Sequence, residues 1–261
     1  MLGAARLAAL AAVAEAAADV AGAVIRPLFR AELTAELKGD ASPVTIADRA
    51  AEQAMRAVLA ERTPEAGVMG EEFGVDRPGA GLRWVLDPID GTRAFITGRP
   101  IFGTLIALLE EGVPVLGVID QPVTGERWVG VAGERTRFRG FAGRAGVRRR
   151  ASLAEAELSC TSPEMLGAEL PRFQRLAGAV RRVTWGGDCY GFGLLALGQI
   201  DIVAECDLKL WDWAALGPVV EGAGGMLRDW SGRRLSLDSA GDVLAVGDEA
   251  LLEPAIARLG A

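Results

Sequence analysis

The stretch Trp84-Val-Leu-Asp-Pro-Ile-Asp-Gly-Thr-Arg-Ala-Phe95 says more about the fold than any other part of the chain. The run 82–86 is apolar apart from one arginine and predicts a buried strand, and the residues from Thr92 onward can open a helix. Asp87 and Asp90 close that strand, where carboxylates offer hard oxygen ligands for divalent cations and the N–H groups of a helix start favour anions. Asp-Pro and Asp-Gly are also common turn pairs. The stretch therefore predicts either a capped turn or a combined cation and phosphate site.

Length and composition predict a large folded α/β protein. The chain has 261 residues, half of them apolar, which is enough for one large domain or two packed subdomains. Its net charge of −7 argues against nucleic acid or an anionic membrane as a partner. The three cysteines form no close pair, which indicates a reducing compartment, and we expect a cytoplasmic protein.

The alanine-rich start of the chain resembles a signal peptide only superficially. Glu15 and Asp19 interrupt it, so residues 1–25 predict an amphipathic helix. We expect no run long enough to cross a bilayer.

The chain contains no histidine. This excludes Ser-His-Asp hydrolysis, phosphohistidine phosphatases, histidine-ligated zinc and histidine general bases. Any catalysis must use the other polar side chains or a metal ion.

The pattern of apolar runs predicts an α/β (α+β) chain in two parts, with a boundary in the Gly- and Arg-rich stretch 140–150. We assign residues 1–145 to an N-terminal α+β subdomain and residues 146–261 to a C-terminal α/β subdomain. Helices are expected over 4–37, broken or bent near Arg26-Pro27, from Thr45 or Asp48 to Glu61, and over 163–178, 189–197, 211–224 and 248–259. Strands are expected over 82–87, 101–110, 113–120, 126–131, 135–139, 158–161, 180–185, 200–205, 226–228 and 243–246.

Further acids stand at other strand ends and helix starts. Glu71 and Glu72 follow a short apolar run, Asp48 lies at the start of a helix, and Asp212 opens another helix. Each alone is more simply a capping or solvated acid. Together, beside glycines and without histidine, they suit a magnesium site built from oxygen ligands.

The chain resembles the inositol monophosphatase superfamily of Mg²⁺-dependent sugar phosphatases over essentially its whole length. The matching motifs are Gly70-Glu71-Glu72, Trp84 to Thr92, Trp211-Asp212-x-Ala-Ala, Glu221-Gly-Ala-Gly-Gly225 and Val44-Thr45-x-Ala-Asp48. The resemblance implies a layered α/β/α/β/α sandwich, a homodimer, two or three Mg²⁺ ions per active site and a small-molecule phosphate ester as substrate.

The resemblance also implies the metal ligands. One Mg²⁺ would be held by Glu71, Asp87 and the carbonyl oxygen of Ile89, and a second by Asp87, Asp90 and Asp212.

The same resemblance implies the remaining catalytic roles. Thr92, hydrogen-bonded to Asp48, would orient and help deprotonate the attacking water on the first metal, which Glu71 also binds. The N–H groups of Gly91 and Thr92 would hold the phosphate, Asp90 would also contact the substrate, and Lys38 would lie in a mobile loop.

Two other phosphatase mechanisms do not fit the sequence. Haloacid-dehalogenase-type enzymes use D-x-D-G-T, whereas the acids Asp87 and Asp90 are three residues apart. Cysteine phosphatases need Cys-x5-Arg, and no cysteine here is followed by arginine at that spacing.

Substrate specificity is expected to depend on Asp188 and Glu205. Two carboxylates near the leaving group favour a cationic substrate, although Asp188 could also cap the helix that follows it. The segments Gly186 to Gly193 and Thr92 to Pro100 resemble histidinol-phosphate phosphatases of this superfamily, so we expect hydrolysis of histidinol phosphate in histidine biosynthesis. The alternatives are an inositol-1-phosphate, sugar-phosphate or 3′-phosphonucleotide phosphatase, or a non-catalytic dimeric partner with the same fold.

Overall fold

The computed structural model describes residues 2–31, 46–141 and 143–260, together with the backbone of residues 36–37 and 43–44. The predicted loop around Lys38 and the motif residue Thr45 lie outside the described residues. The helices are α1 (Ala4–Leu28), α2 (Ile46–Arg62), α3 (Thr92–Ile96), α4 (Pro163–Leu166), α5 (Leu170–Ala177), α6 (Asp188–Ala196), α7 (Leu210–Trp213), α8 (Leu216–Gly222) and α9 (Leu252–Gly260). Short 3₁₀ turns cover Leu153–Glu155, Gly167–Glu169 and Glu249–Leu251.

The strands are β1 (Glu36–Leu37), β2 (Pro43–Val44), β3 (Gly67–Gly70), β4 (Gly74–Asp76), β5 (Leu82–Asp90), β6 (Gly103–Glu110), β7 (Val113–Gln121), β8 (Glu126–Val131), β9 (Arg137–Arg139), β10 (Glu157–Cys160), β11 (Arg182–Trp185), β12 (Ile202–Glu205), β13 (Met226–Arg228) and β14 (Val243–Val246). They form two large sheets, while β1 and β2 make a separate antiparallel pair.

The first large sheet has the order β4-β3-β5-β6-β7-β8-β9. Its strands pair antiparallel except for the parallel pair β3–β5. Side chains alternate between its two faces, as the period of a strand requires. Trp84 and Leu86 pack with α1 and α2, whereas Val85 packs with α6 and α8 on the other face.

The second large sheet has the order β11-β10-β12-β14-β13, with parallel pairing among the first three strands and antiparallel pairing in the rest. Val203 faces α6 and α8, and Ile202 faces α5 and α9. Helices and sheets therefore alternate as α/β/α/β/α, which confirms the expected architecture.

The first sheet uses strands from residues 67–139 and the second uses strands from residues 157–246. We propose on this basis that the division at residues 145 and 146 separates two subdomains.

Several expected helices are shorter in the structure. Helix α1 ends at Leu28 because Pro27 lies in its last turn and Phe29 adopts extended backbone angles, so residues 29–31 are not helical. The expected helix 163–178 is broken at Gly167, which has a φ of 45°. The expected helix 211–224 is divided into α7 and α8.

Helix α1 also corrects the expectation about membrane-spanning runs. By length and composition it could cross a bilayer, with 25 residues and a mean hydropathy of 1.8 over its most apolar window. In the structure 44% of that window is buried, and Leu10, Ala14 and Ala21 belong to the core shared with α2 and the first sheet. We propose that α1 is a core helix.

Candidate active site

The end of β5 carries the first two acids of the site. Residues three apart on a regular strand point to opposite faces. The register between β5 and β6 shifts between Asp87 and Asp90, and Thr104 Oγ1 donates to the carbonyl oxygen of Pro88 within this irregular stretch at 2.7 Å. The shift allows both carboxylates to reach the same cluster.

Asp87, Asp90 and Asp212 form that cluster. Each offers a carboxylate oxygen, and the three oxygens lie within 4.8 Å of one another. Asp212 is held at the start of α7, where its Oδ2 accepts the N–H of Lys209 at 2.7 Å. Asp87 is 1% exposed, and its Oδ1 has no hydrogen-bond partner among the described residues. An unpaired buried carboxylate oxygen in a group of acids fits a divalent cation bound by oxygen ligands.

The charges of the cluster act on one another. Burial raises the pKa of Asp87 well above its ordinary value, and the charges of Glu71, Asp90, Asp212 and Asp48 raise it further. Burial also raises the pKa of Asp90, with Asp188 and Asp212 adding to the effect. For Asp212 burial raises the pKa to about 7. The predicted metal ligands are thus near enough to repel one another, and a bound cation would relieve that repulsion.

Glu71 lies in the turn that follows β3. Its N–H donates to the carbonyl oxygen of Leu86 at 3.2 Å, which places it beside the residue that precedes Asp87. The buried carboxylate of Glu52 accepts the next two N–H groups, those of Glu72 and Phe73. Sequence reasoning missed Glu52 because nothing around it distinguishes it from other acids on an amphipathic helix.

Gly91 joins the strand to α3. Its φ of 85° is in the left-handed region, which favours glycine. Thr92 Oγ1 donates to the carbonyl oxygen of Ile89 at 3.2 Å, the oxygen that the family resemblance implies as a metal ligand. Asp48 is in the first turn of α2 and 2% exposed, near enough to Asp87 to affect its pKa. The hydrogen bond between Thr92 and Asp48 stays a prediction.

Asp188 is brought directly against the turn at Gly91. A Cβ atom on Gly91 would lie 2.8 Å from Cγ of Asp188. The N-cap position of α6 belongs to Gly187, with no side-chain cap, so the capping interpretation of Asp188 was wrong.

Glu205 and Asp188 are linked through Thr161, which sequence reasoning also missed. Thr161 donates its N–H and its hydroxyl to Glu205 Oε1 at 3.0 and 2.7 Å, and its hydroxyl oxygen accepts the N–H of Asp188 at 3.1 Å. Burial raises the pKa of Glu205 to about 8. Cys189, the residue after Asp188, donates its N–H to Asp90 Oδ2 at 2.6 Å. This network connects Glu205 and Asp188 to the cluster of Asp87, Asp90 and Asp212.

The charges of two arginines act on the pKa of Asp188. Burial raises the pKa of Asp188 to about 6, while Arg99 and Arg93 act in the opposite direction.

A separate cavity of about 910 Å³, lined by Val131, Trp213 and other residues, contains none of the clustered acids. The carboxylate geometry, rather than cavity size, identifies the site.

Comparison with known proteins shows the family to which the chain belongs. The chain is 43% identical over 259 residues to the bifunctional phosphatase IMPL2, chloroplastic, of Arabidopsis thaliana, covering 95% of this chain and 74% of that protein. It is 42% identical over 226 residues to a histidinol-phosphatase of Mycobacterium tuberculosis, covering 83% and 86%. A solved structure of an inositol monophosphatase from Zymomonas mobilis superposes with a TM-score of 0.88 at 52% identity, covering 96% and 97%. The model of the inositol monophosphatase family matches residues 6–259, and the chain is a phosphatase of that family.

Proposed function

We propose that this chain is an Mg²⁺-dependent phosphatase that hydrolyses histidinol phosphate to histidinol and phosphate in histidine biosynthesis. The observation that carries the proposal is the position of the Asp188 carboxylate, directly against the turn at Gly91. We further propose a cytoplasmic homodimer, and the three free cysteines agree with a reducing compartment.

Enzymes of this family use Mg²⁺, and the acids present fit that ion. The residues that would hold it are Glu71, Asp87, Asp90 and Asp212, with the carbonyl oxygen of Ile89. Asp87 Oδ1 has no hydrogen-bond partner in the described part of the chain, and this and the mutual repulsion of the acids support the assignment. Bound Mg²⁺ would lower the pKa of water and offset the charge that develops on the phosphoryl group.

The chain itself would position the phosphate and the attacking water. The N–H groups of Gly91 and Thr92 would hold phosphate oxygens at the start of α3. The Thr92 hydroxyl would orient the water and pass its proton toward Asp48, which is 2% exposed. Histidine cannot take that proton, because the chain contains none.

The leaving group would meet Asp188 and Glu205. Histidinol phosphate carries an amine and an imidazole, and a half-buried carboxylate beside the phosphate turn complements such a cation. The similarity to the histidinol-phosphatase of M. tuberculosis supports the same substrate.

A second candidate is inositol 1-phosphate or another small sugar or nucleotide phosphate. The Zymomonas mobilis protein, 52% identical, is described as an inositol monophosphatase. Arg93 and Arg99 also offset part of the Asp188 charge, which weakens the preference for a cation. The non-catalytic alternative is not favoured, because the acids converge into one cluster.

The deciding experiment compares kcat/KM for histidinol phosphate and inositol 1-phosphate at equal Mg²⁺ concentration. We expect histidinol phosphate to be hydrolysed at least 10-fold more efficiently. Equal or better turnover of inositol 1-phosphate would refute the histidinol assignment but not the phosphatase.

A further inference from the structure

Glu52 is a buried acid outside the proposed set of metal ligands. It lies on α2, is 0% exposed, and stands one helical turn after Asp48. A carboxylate is costly to bury unless charged or hydrogen-bonding partners compensate it. The partners of Glu52 therefore indicate why it is there.

Two of those partners are consecutive backbone N–H groups. Glu52 Oε2 accepts from the N–H of Glu72 at 2.8 Å, and Oε1 accepts from the N–H of Phe73 at 3.3 Å. Arg56 Nε, one turn along α2, donates to Oε1 at 2.7 Å. Arg56 also donates to the carbonyl oxygen of Gly74, so the pair spans the whole turn after β3.

This turn is the one that carries Glu71. The N–H of Glu71 is fixed to Leu86 of β5, and the next two N–H groups are fixed to Glu52. The backbone of Glu71 is thus fixed on one side by the strand that presents Asp87 and on the other by α2.

Gly70 shows how closely the carboxylate packs on this turn. A Cβ atom at Gly70 would lie 2.0 Å from Glu52 Oε1, well inside van der Waals contact. The glycine therefore lets the Glu52 carboxylate approach the backbone and reach the N–H groups of the turn.

We propose that Glu52 is a positioning residue that holds the Glu71 turn in the geometry needed to bind Mg²⁺. This inference rests on the proposed role of Glu71 as a metal ligand. Residues that orient metal ligands typically contribute about 10- to 100-fold in metal affinity or activity. In Glu52→Gln the side chain keeps its size, but its NH₂ group cannot accept a hydrogen bond. The N–H of either Glu72 or Phe73 would therefore lose its acceptor.

The test combines two measurements on Glu52→Gln, with Glu61→Gln as the control at an exposed position of the same helix. Amide hydrogen exchange of the metal-free proteins should speed up at residues 72 and 73 only in Glu52→Gln. Titration calorimetry should show Mg²⁺ affinity about 10-fold or more weaker in Glu52→Gln and unchanged in Glu61→Gln.

Normal Mg²⁺ affinity in folded Glu52→Gln, with wild type binding the ion, would overturn the inference. If Glu52→Gln does not fold, Glu52→Asp replaces it in the test. Asp keeps the charge, but its shorter side chain moves the carboxylate away from the turn. Unchanged Mg²⁺ affinity in Glu52→Asp would again refute the positioning role of Glu52. If wild type itself binds no Mg²⁺, the proposed function fails, and the exchange data still report whether Glu52 holds the turn.

Discussion

The metal-free protein is predicted to lose stability as pH rises from about 4 to 8. Burial raises the pKa of Asp212 from 3.8 to about 7, and the pKa values of Asp87 and Asp90 are raised in the same direction. The folded protein then holds these protons more tightly than the unfolded chain. Stability is full below the unfolded pKa and falls as pH rises through the folded pKa.

The magnitude follows from Asp212. A rise from 3.8 to about 7 corresponds to about 4 kcal/mol at ~1.4 kcal/mol per pKa unit, and relaxation of the site reduces this to a few kcal/mol. At ~2–4 °C per kcal/mol for a chain of this size, we expect Tm to fall by roughly 5–10 °C.

The assay is thermal unfolding in EDTA and in Mg²⁺ across that pH range. Mg²⁺ should raise Tm most at the alkaline end, because the ion replaces the protons that the cluster loses. Asp212→Asn, whose amide oxygen can still accept from Lys209, should show a smaller fall in EDTA. A Tm that does not fall with pH in EDTA, together with no effect of Mg²⁺, would refute the electrostatic account of the cluster.

Three substitutions test the substrate side of the site. Asp188→Asn should lower kcat/KM for histidinol phosphate by about 10- to 100-fold, because it removes a hydrogen bond to a charged group. The kcat/KM for inositol 1-phosphate should stay within ~3-fold of wild type. Equal losses for the two substrates would contradict a role of Asp188 in specificity. Gly91→Ala should lower the free energy of unfolding by about 1–2 kcal/mol, because Gly91 has a φ of 85°. Its activity should also drop at least ~10-fold, because the added Cβ would contact Asp188. Gly125→Ala, at a φ of 75° with open space around it, should show only the stability loss, and equal kinetics in the two variants would be evidence against a role for Gly91. Thr161→Val should destabilise the protein by about 1–3 kcal/mol and affect histidinol phosphate more than inositol 1-phosphate, since it breaks the link between Glu205 and Asp188. Thr161→Ser should retain both properties, and a wild-type substrate profile in Thr161→Val would argue against the link.

The acids at strand ends and helix starts were readable from the sequence because they follow apolar runs. The run before Asp87 predicted the buried strand, and the helix signal predicted the position of Asp212. The structure brings these residues together across more than a hundred positions of sequence. The family resemblance predicted that Asp87 and Asp212 lie together, since no local sequence pattern contains this information.

The supporting residues could not be predicted in the same way. Glu52 bonds to N–H groups 20 and 21 residues away, and Thr161 bonds to Glu205 44 residues away. A buried hydrogen-bonded acid and a solvated acid look alike in a helical pattern. The register shift between Asp87 and Asp90 could also not be predicted, because a strand pattern records alternation but not the partner register.

The most direct test of the central claim is the Mg²⁺-dependent turnover of Asp90→Asn. Asn keeps an oxygen to accept the N–H of Cys189, bonded to Asp90 at 2.6 Å, so the fold should be retained while a charged metal ligand is lost. We predict at least a 100-fold loss of histidinol phosphate hydrolysis with a Tm in EDTA no lower than that of wild type. Unchanged hydrolysis of histidinol phosphate and inositol 1-phosphate in this variant would contradict the proposal that the carboxylate cluster holds the catalytic magnesium.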